Sequence, residues 1–367
     1  MSIMPKGSWT NRWGITIAVL LLLTLGAATS SAAPFAYITN EQGSSVSVVD
    51  IATNTIVATL PVGTFPSGVA VNSTGTRVYV ARGGGDPVVI DTTTNTVTTI
   101  PVGSATGVAV NPAGTRVYFT NSNTNTLRVL DTATNTVVAT VTVGSGSFGV
   151  AVNPAGTRVY VTNFNDNSVS VVDAATNAVV GTVAVGMLPR GIAVNPAGTR
   201  VFVMNAGSGT VSVIDTATNA VVATITVGNF PFAVAFNPTG TRAYVTNGAS
   251  NTVSVIDTAT NTVITSVTVG NVPAGVAVNP AGTRVYVANA ESHTLSVIDT
   301  ATNTVVATIS GFARPIAFGI FIAGAASTAS IPTLSEWGTV LLVLSLLATG
   351  TWYIAGRRRT RHAELRP

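Results

Sequence analysis

Seven aspartates recur along the chain at intervals of 40 to 42 residues, each directly after a short run rich in Val and Ile. They are Asp50, Asp91, Asp131, Asp173, Asp215, Asp257 and Asp299. Six arginines, each preceded by Gly-Thr, recur at a similar spacing: Arg77, Arg116, Arg158, Arg200, Arg242 and Arg284. Each Asp opens a turn sequence such as D-T-A-T-N, in which its carboxylate can accept hydrogen bonds from backbone N–H groups. We therefore predict a structural ring in which the Arg and Asp of each repeat approach one another, with Asp50 lacking an Arg partner of its own.

Few chemically active groups remain once these repeats are set aside. They are Glu41, Asp86, Asp166, Glu291 and a single histidine of the repeat region, His293. A hydrolytic metal centre needs several His or carboxylate ligands, and nucleophilic catalysis needs a base held beside a nucleophile. We therefore predict no catalytic residue, no metal and no cofactor.

The repeat itself predicts the elements that must position these residues. Each unit contains four short segments of β-forming residues, as in Gly191–Val194, Val201–Asn205, Val211–Asp215 and Val221–Ile225. Four strands in a repeat of about 40 residues are typical of a β-propeller blade. The fold class predicted is all-β: a seven-bladed propeller of four-stranded blades over residues 34–322.

The ends of the repeat region predict how the ring closes. There are seven Asp repeats but only six turns of the Asn-Pro-Ala-Gly type, and the region starts at Phe35 with the equivalent of a second strand. Its last segment, Pro315–Phe318, is the equivalent of a first strand. Pairing of these N-terminal and C-terminal strands would complete the seventh blade and remove two open sheet edges.

Tyr160-Val161-Thr162-Asn163 and Tyr244-Val245-Thr246-Asn247 carry a resemblance to a known family. These segments resemble the YVTN family of seven-bladed propellers, which includes surface-layer propeller domains. The resemblance covers about residues 35–322, and it implies a role at a surface or in an interaction rather than a reaction.

Function is expected where equivalent repeat positions differ. The residues just before the innermost strands should ring one mouth of the central channel: Ser67, Thr106, Phe148, Arg190, Phe232, Ala274 and Arg314. Arg and aromatic residues dominate binding hot spots. One interpretation is a recognition patch for a surface glycan or a protein partner. The other is neutral sequence variation in these loops, with Phe side chains filling the top of the channel.

The N-terminal residues 1–33 are typical of a signal peptide for Sec-dependent export. Lys6 and Arg12 precede an apolar run, and small residues end at Ala33, which is the order that a secretory signal requires. The alternative is an uncleaved membrane anchor.

The C-terminal region contains Ile331-Pro332-Thr333-Leu334-Ser335-Glu336-Trp337-Gly338, after a linker over 323–330. An apolar run over 339–356 is long enough for a transmembrane helix, and the basic tail over 357–367 is expected to stay cytoplasmic. This tail resembles the IPTL-CTERM sorting signal of Gram-negative bacteria. The resemblance implies an exosortase-type peptidase as a partner, cleavage near 331–338, and release or transfer to the cell surface. The alternative is a permanent membrane anchor.

Charge argues against nucleic acid as a partner. The whole chain carries a formal net charge of +4. The repeat region, however, has ten Arg, no Lys and eleven acidic residues. The basic excess therefore belongs to the two terminal signals. Because a nucleic-acid site needs clustered cations on the folded part, we predict no nucleic-acid partner.

These observations predict an exported, non-enzymatic propeller that acts in the cell envelope, in adhesion or in the extracellular matrix. It would pass through an inner-membrane intermediate with the propeller on the periplasmic side. The alternative is a propeller enzyme of the lactonase or quinoprotein dehydrogenase type, and a purely structural array unit is a third possibility.

Overall fold

A computed structural model describes residues 35–322 of the chain. These residues form seven antiparallel sheets, one per repeat, with the strands of each sheet in sequence order. The predicted signal peptide, linker, sorting motif, transmembrane helix and basic tail lie outside the described residues. Within the described part, no helix is long and apolar enough to span a membrane.

The first blade contributes three strands from the start of the region, namely β1 (Phe35–Asn40), β2 (Ser45–Asp50) and β3 (Thr55–Pro61). Blade two is β4 (Pro66–Val71), β5 (Arg77–Arg82), β6 (Val88–Asp91) and β7 (Thr96–Thr99). Blade three is β8 (Val108–Val110), β9 (Arg116–Asn121), β10 (Thr126–Asp131) and β11 (Thr136–Thr142).

The later blades are the most regular. Blade four is β12 (Ser147–Val152), β13 (Arg158–Asn163), β14 (Ser168–Asp173) and β15 (Ala178–Ala184). Blade five is β16 (Pro189–Val194), β17 (Arg200–Asn205), β18 (Thr210–Asp215) and β19 (Ala220–Thr226). Blade six is β20 (Pro231–Phe236), β21 (Arg242–Asn247), β22 (Thr252–Asp257) and β23 (Thr262–Thr268), and blade seven is β24 (Pro273–Val278), β25 (Arg284–Asn289), β26 (Thr294–Asp299) and β27 (Thr304–Ser310).

Residues 315–322, here called the closing segment, supply the innermost strand of blade one. Pro315 bridges Asn40 and Ile322 bridges Ala36, both antiparallel. The Ile316 N–H donates to Thr39 O at 3.1 Å. The predicted closure by terminal strands is confirmed, and it extends to Ile322, beyond the predicted Phe318.

The closing segment also bonds to the neighbouring blade. The N–H of Val69 donates to Phe318 O at 3.1 Å, and the N–H of Val71 donates to Ile320 O at 2.9 Å. Gly319 lies between these two acceptors with φ +117°. The segment therefore joins blades one and two, and this is the physical reason that it departs from a regular strand.

The core lies between adjacent blades. The aromatic residue of each second strand is at most 2% exposed: Tyr37, Tyr79, Tyr118, Tyr160, Phe202, Tyr244 and Tyr286. Tyr160 of blade four, for example, packs in one cluster with Val201 and Ile214 of blade five. The repeated aromatic position thus holds neighbouring blades together through apolar burial.

The two faces of the ring differ. The innermost strand of each blade begins on one face, called here the mouth face, and ends on the other, called the hairpin face, which carries the Asp turns. The closing segment follows the same direction, because Pro315 lies opposite Asn40 at the mouth face and Ile322 lies opposite Ala36 near the hairpin face.

Candidate functional site

A cavity of about 480 Å³ opens at the mouth face. All seven channel-mouth residues predicted from the sequence line it: Ser67, Thr106, Phe148, Arg190, Phe232, Ala274 and Arg314. The fold thus brings together residues that are about 40 positions apart along the chain. The cavity also includes residues that were not predicted, among them Glu41, Phe65, Ile316 and Phe318.

The position of Arg314 in the ring requires a correction. Leu188 and Phe230 have positive φ and precede the Pro before Arg190 and Phe232, and Arg314 stands in the same place before Pro315. The residue equivalent to Arg190 in the closing segment is therefore Ile316. The interval from Asp299 to Pro315 is 16 residues, the same as from Asp173 to Pro189. The repeat spacing itself therefore indicates Ile316, and Arg314 as the equivalent of Arg190 was a prediction two residues out of register.

The regular ring residues also lie slightly differently from the prediction. In blades two and four to seven they are the second residue of the innermost strand, not the residue before it; in blade five, for example, β16 begins at Pro189. A register shift between Pro189 and Ile192 leaves Arg190 outside the regular ladder. This irregular stretch is what allows Arg190 to line the cavity.

Threonines of the second strands fix the ring residues by linking adjacent blades. The N–H of Gly149 donates to Thr162 Oγ1 at 2.7 Å, and that hydroxyl donates to Arg190 O of the next blade at 2.7 Å. Thr120 does the same for Phe148, at 2.6 Å. The Thr of the Tyr-Val-Thr-Asn segment thus positions a neighbouring blade's ring residue, a role that the sequence did not reveal.

Close backbone approach between blades explains the glycine that follows several ring residues. A Cβ built on Gly149 would lie 2.3 Å from Arg190 O, and one on Gly191 would lie 2.3 Å from Phe232 O. Both distances are far below a normal contact. Glycine is therefore required where the innermost strands of neighbouring blades meet.

Arg190 lies within a cage of four phenylalanines. Its guanidinium carbon is 4.9 to 5.1 Å from the ring centroids of Phe148, Phe164, Phe230 and Phe232. Cation–π attraction accounts for this arrangement. Within residues 35–322 Arg190 forms no ion pair, and its buried Nε has no hydrogen-bond partner. Burial lowers the pKa of Arg190 below its ordinary value.

Three aromatic rings close the floor of the cavity. Phe318 of the closing segment stacks on Phe148 with centroids 5.3 Å apart, and its ring contacts Phe232 edge-on at 5.9 Å. Phe318 also lines the channel below, a second cavity of about 340 Å³ walled by Ala, Val and Gly of the innermost strands. Phe318 therefore separates the mouth cavity from the channel, and the predicted aromatic plug involves this residue as well as Phe148 and Phe232.

Arg314 has a different environment from Arg190. Its side chain pairs with the carboxylates of Glu41 and Glu291, the latter at 3.0 Å. The Arg314 N–H donates to His293 Nδ1 at 2.9 Å, and the N–H of Glu41 donates to Arg314 O at 3.1 Å. The pKa of Arg314 is raised, first by its hydrogen bond to Glu291. Three of the five non-repeat groups thus serve ring closure, a use that becomes visible only when the two ends meet.

The other two non-repeat acids cap loops. Asp166 accepts a hydrogen bond from the Ser145 N–H at 2.7 Å, and Asp86 accepts one from the Gly103 N–H at 2.5 Å. In the part of the chain that the structure describes, no three His, Asp or Glu side chains lie close enough together to hold a metal ion.

The repeat arginines and aspartates lie on the hairpin face, away from the cavity. Each Arg is opposite the Asp of its own blade in the strand register, whereas Asp50 is opposite Phe35. Ion pairs form in blades three, four, five and seven, as in Arg158–Asp173 at 2.5 Å. Arg77 instead donates to Thr132 O of the next blade at 3.0 Å, and Arg242 forms no ion pair within residues 35–322.

The repeat aspartates also accept backbone hydrogen bonds. Asp173 Oδ1 accepts the N–H groups of Ala175 and Thr176 at 3.0 and 2.9 Å. The bond from Thr176 is the largest cause of a pKa below the ordinary carboxyl value, and Arg158 adds a smaller effect. The turn, more than the ion pair, thus explains why an Asp recurs here.

Comparison with known proteins supports the fold and the sorting motif. Residues 233–322 match the model of YNCE-like β-propellers, and residues 112–227 match the model of lactonase seven-bladed β-propellers. Residues 329–359 match the IPTL-CTERM motif. No curated protein sequence matches the chain.

Two solved structures share the fold. A chain of Kuenenia stuttgartiensis hydrazine synthase is 22% identical, with a TM-score of 0.66 over 72% of this chain and 92% of that one. A functionally unknown protein from Desulfotomaculum acetoxidans DSM 771 is 17% identical, with a TM-score of 0.70 over 79% of this chain and 99% of that one. The chain is therefore a seven-bladed β-propeller, similar to YNCE-like and lactonase-type propellers, with a C-terminal IPTL-CTERM motif that indicates export.

Proposed function

We propose that this protein is an exported, non-enzymatic binding module of the cell envelope or extracellular matrix, and that it binds its partner at the mouth cavity. The observation that carries the proposal is the Arg190 cage. A guanidinium among four aromatic rings, without an acidic partner in residues 35–322, lies in the wall of an open cavity. Arg and aromatic groups in such a setting favour recognition of a partner.

The positions of the two ends of the described region also support the mouth face as the binding face. The described region begins at Phe35, opposite Asp50, and ends at Ile322, so both ends lie on the hairpin face. The eight residues 323–330 span at most about 29 Å when fully extended. In the proposed membrane-attached intermediate, the hairpin face would therefore be nearer to the attachment and the mouth cavity would face away from it.

Binding by the exported protein tests the proposal. The protein is purified from the exterior of cells that produce the full chain, and its binding to cells and matrix is measured. Replacing Phe148, Arg190 and Phe232 together with Ala should abolish binding, whereas Arg242→Gln on the hairpin face serves as a control. Unchanged binding by the folded triple variant would remove the mouth cavity from consideration.

Sorting is proposed to proceed through an exosortase-type peptidase that cuts near residues 331–338, and the match to the IPTL-CTERM motif supports it. Cell fractionation with mass mapping of both termini tests this step. Surface-located protein should lack residues 357–367. Intact Arg357–Pro367 on that protein would contradict cleavage and favour a permanent anchor.

An enzymatic function of the lactonase type is the second candidate, favoured by the match over residues 112–227. Elemental and cofactor analysis of the purified exported protein separates the two functions. A stoichiometric metal or organic cofactor would favour the enzyme.

A further inference from the structure

We propose that the mouth cavity binds a carboxylate attached to an apolar group, with the Arg190 guanidinium as the partner of the carboxylate. The inference rests on the proposed binding function and names the chemistry of its ligand. It depends on three features of the described residues: an unmatched charge, the shape of that charge, and the apolar character of the surrounding walls.

The charge argument compares the two arginines that line the cavity. Arg314 is neutralised by Glu41 and Glu291, whereas Arg190 forms no ion pair within residues 35–322. Phenylalanine rings attract a cation but offer no lone pair to its N–H groups. The Arg190 side chain donates no hydrogen bond within residues 35–322, and its terminal N–H groups, unlike the Nε, are not buried. These terminal groups therefore remain for an anion in the cavity.

The shape of the guanidinium favours a carboxylate over other anions. Its planar fork matches the two oxygens of a carboxylate and can bind both. One cation compensates one negative charge, whereas a phosphate dianion would leave an uncompensated charge among aromatic rings, which is costly. A single planar monoanion is the better match.

The walls favour an apolar group next to that carboxylate. Phe148, Phe232 and Phe318 surround the cavity beside Arg190. Phe65 and Ile316 also line the cavity, and Phe65 is 60% exposed. The cavity volume of about 480 Å³ lies within the range of small-molecule sites.

Such a ligand has two sources, a free organic acid or the C-terminus of a peptide that ends in an apolar residue. Phenylacetate and its neutral analogue phenylacetamide probe the first source. N-acetyl-Gly-Leu and its C-terminal amide probe the second. Each pair differs only in the charge that Arg190 would meet.

The experiment is isothermal titration calorimetry of the exported protein with these four compounds and with inorganic phosphate. We expect at least one acid to bind about tenfold or more tightly than its amide, since a charge-assisted hydrogen bond contributes about that much. Arg190→Gln should remove this preference, and Arg190→Lys should weaken it, because Lys lacks the planar fork. Arg242→Gln should leave it unchanged.

Tighter binding of the free acid or of the peptide acid identifies the source, and either result supports the proposal. Equal binding of acid and amide, no binding by any probe, a preference for phosphate, or a preference retained in Arg190→Gln would overturn it. The comparison within wild-type protein stands even if a variant fails to fold. Loss of cell or matrix binding in the triple variant, without competition by carboxylates, would leave the proposed function standing and reject only this ligand class.

Discussion

The guanidinium of Arg314 pairs with the carboxylate of Glu41, 273 residues earlier in the chain. Glu291 of blade seven accepts a second bond from the same side chain at 3.0 Å. One cation thus connects the end of the propeller to its first strand and to its last complete blade. Ring closure therefore combines these charges with the backbone bonds of the closing segment.

Replacing Arg314 should loosen the closure locally. Arg314→Gln removes the cation between two carboxylates, and because the groups are partly exposed we expect a loss of about 1 kcal/mol in the free energy of unfolding. Hydrogen exchange at the amides of Tyr37 and Ile316 should become faster. Arg116→Gln, whose ion pair lies within one blade, is the control. Equal exchange at Tyr37 and Ile316 in the two variants would contradict a role in closure.

Gly319 should not tolerate a side chain. A Cβ at this position would lie 2.4 Å from Val69 O, and φ is +117°. Gly319→Ala should reduce the free energy of unfolding by about 1 to 3 kcal/mol through strain alone. Gly181→Ala on an outermost strand, where the nearest atoms are at 3.9 Å, is the matched control and should be neutral or stabilising. Denaturant unfolding of the two variants checks this, and similar stability would argue against the close approach.

Thr162 should matter both for stability and for the mouth cavity. Thr162→Val leaves the Gly149 N–H and the Arg190 carbonyl without their shared hydroxyl, which should cost about 1 to 3 kcal/mol. Thr162→Ser should restore most of this loss, and Thr182→Val on the exposed outer strand should have little effect. Thermal unfolding gives the comparison. A Val variant as stable as wild type would show that the hydroxyl relay does not link the blades.

Acid should destabilise the propeller through the repeat aspartates. Their pKa values in the folded protein are lowered, chiefly by backbone hydrogen bonds, for Asp91, Asp131, Asp173, Asp215, Asp257 and Asp299. A lowered folded pKa gives stability that is present above the unfolded value of about 3.9 and is lost as the pH falls through the folded value. We expect the melting temperature to fall as the pH is lowered below about 4, with a shallower fall for Asp173→Asn. A melting temperature independent of pH in this range would contradict the linkage.

Alkali should act through buried tyrosines with the opposite sign. Burial raises the pKa values of Tyr37 and Tyr286 to about 12. A raised folded pKa gives stability that is present below the unfolded value of about 10 and is lost as the pH rises towards the folded value. The free energy of unfolding, measured between pH 9 and pH 12, should decline as the pH rises. The decline should be smaller in Tyr37→Phe, which lacks one of the titrating groups. A steady free energy of unfolding across this interval would contradict it.

The seven repeats and their four β segments were evident from local patterns. Turn residues, alternating apolar positions and the spacing of Asp50 to Asp299 repeat in each unit, so a short segment such as β17 or β18 carries enough information to predict its strand. The closure between the strand that begins at Phe35 and the segment that begins at Pro315 also followed, because the missing turn left three strands of one blade at the start and its fourth strand at the end.

The chemistry of the mouth was determined by the tertiary structure. Sequence placed Arg190 near Phe148 and Phe232, but the contributions of Phe164 and Phe230 come from loops whose relative positions depend on how neighbouring blades pack. Ile316 and Phe318 of the closing segment likewise line the cavity beside Arg314 once the two ends of the propeller meet. Local propensity determines where a strand forms, whereas contacts between distant segments determine which side chains share a cavity and which charges are neutralised.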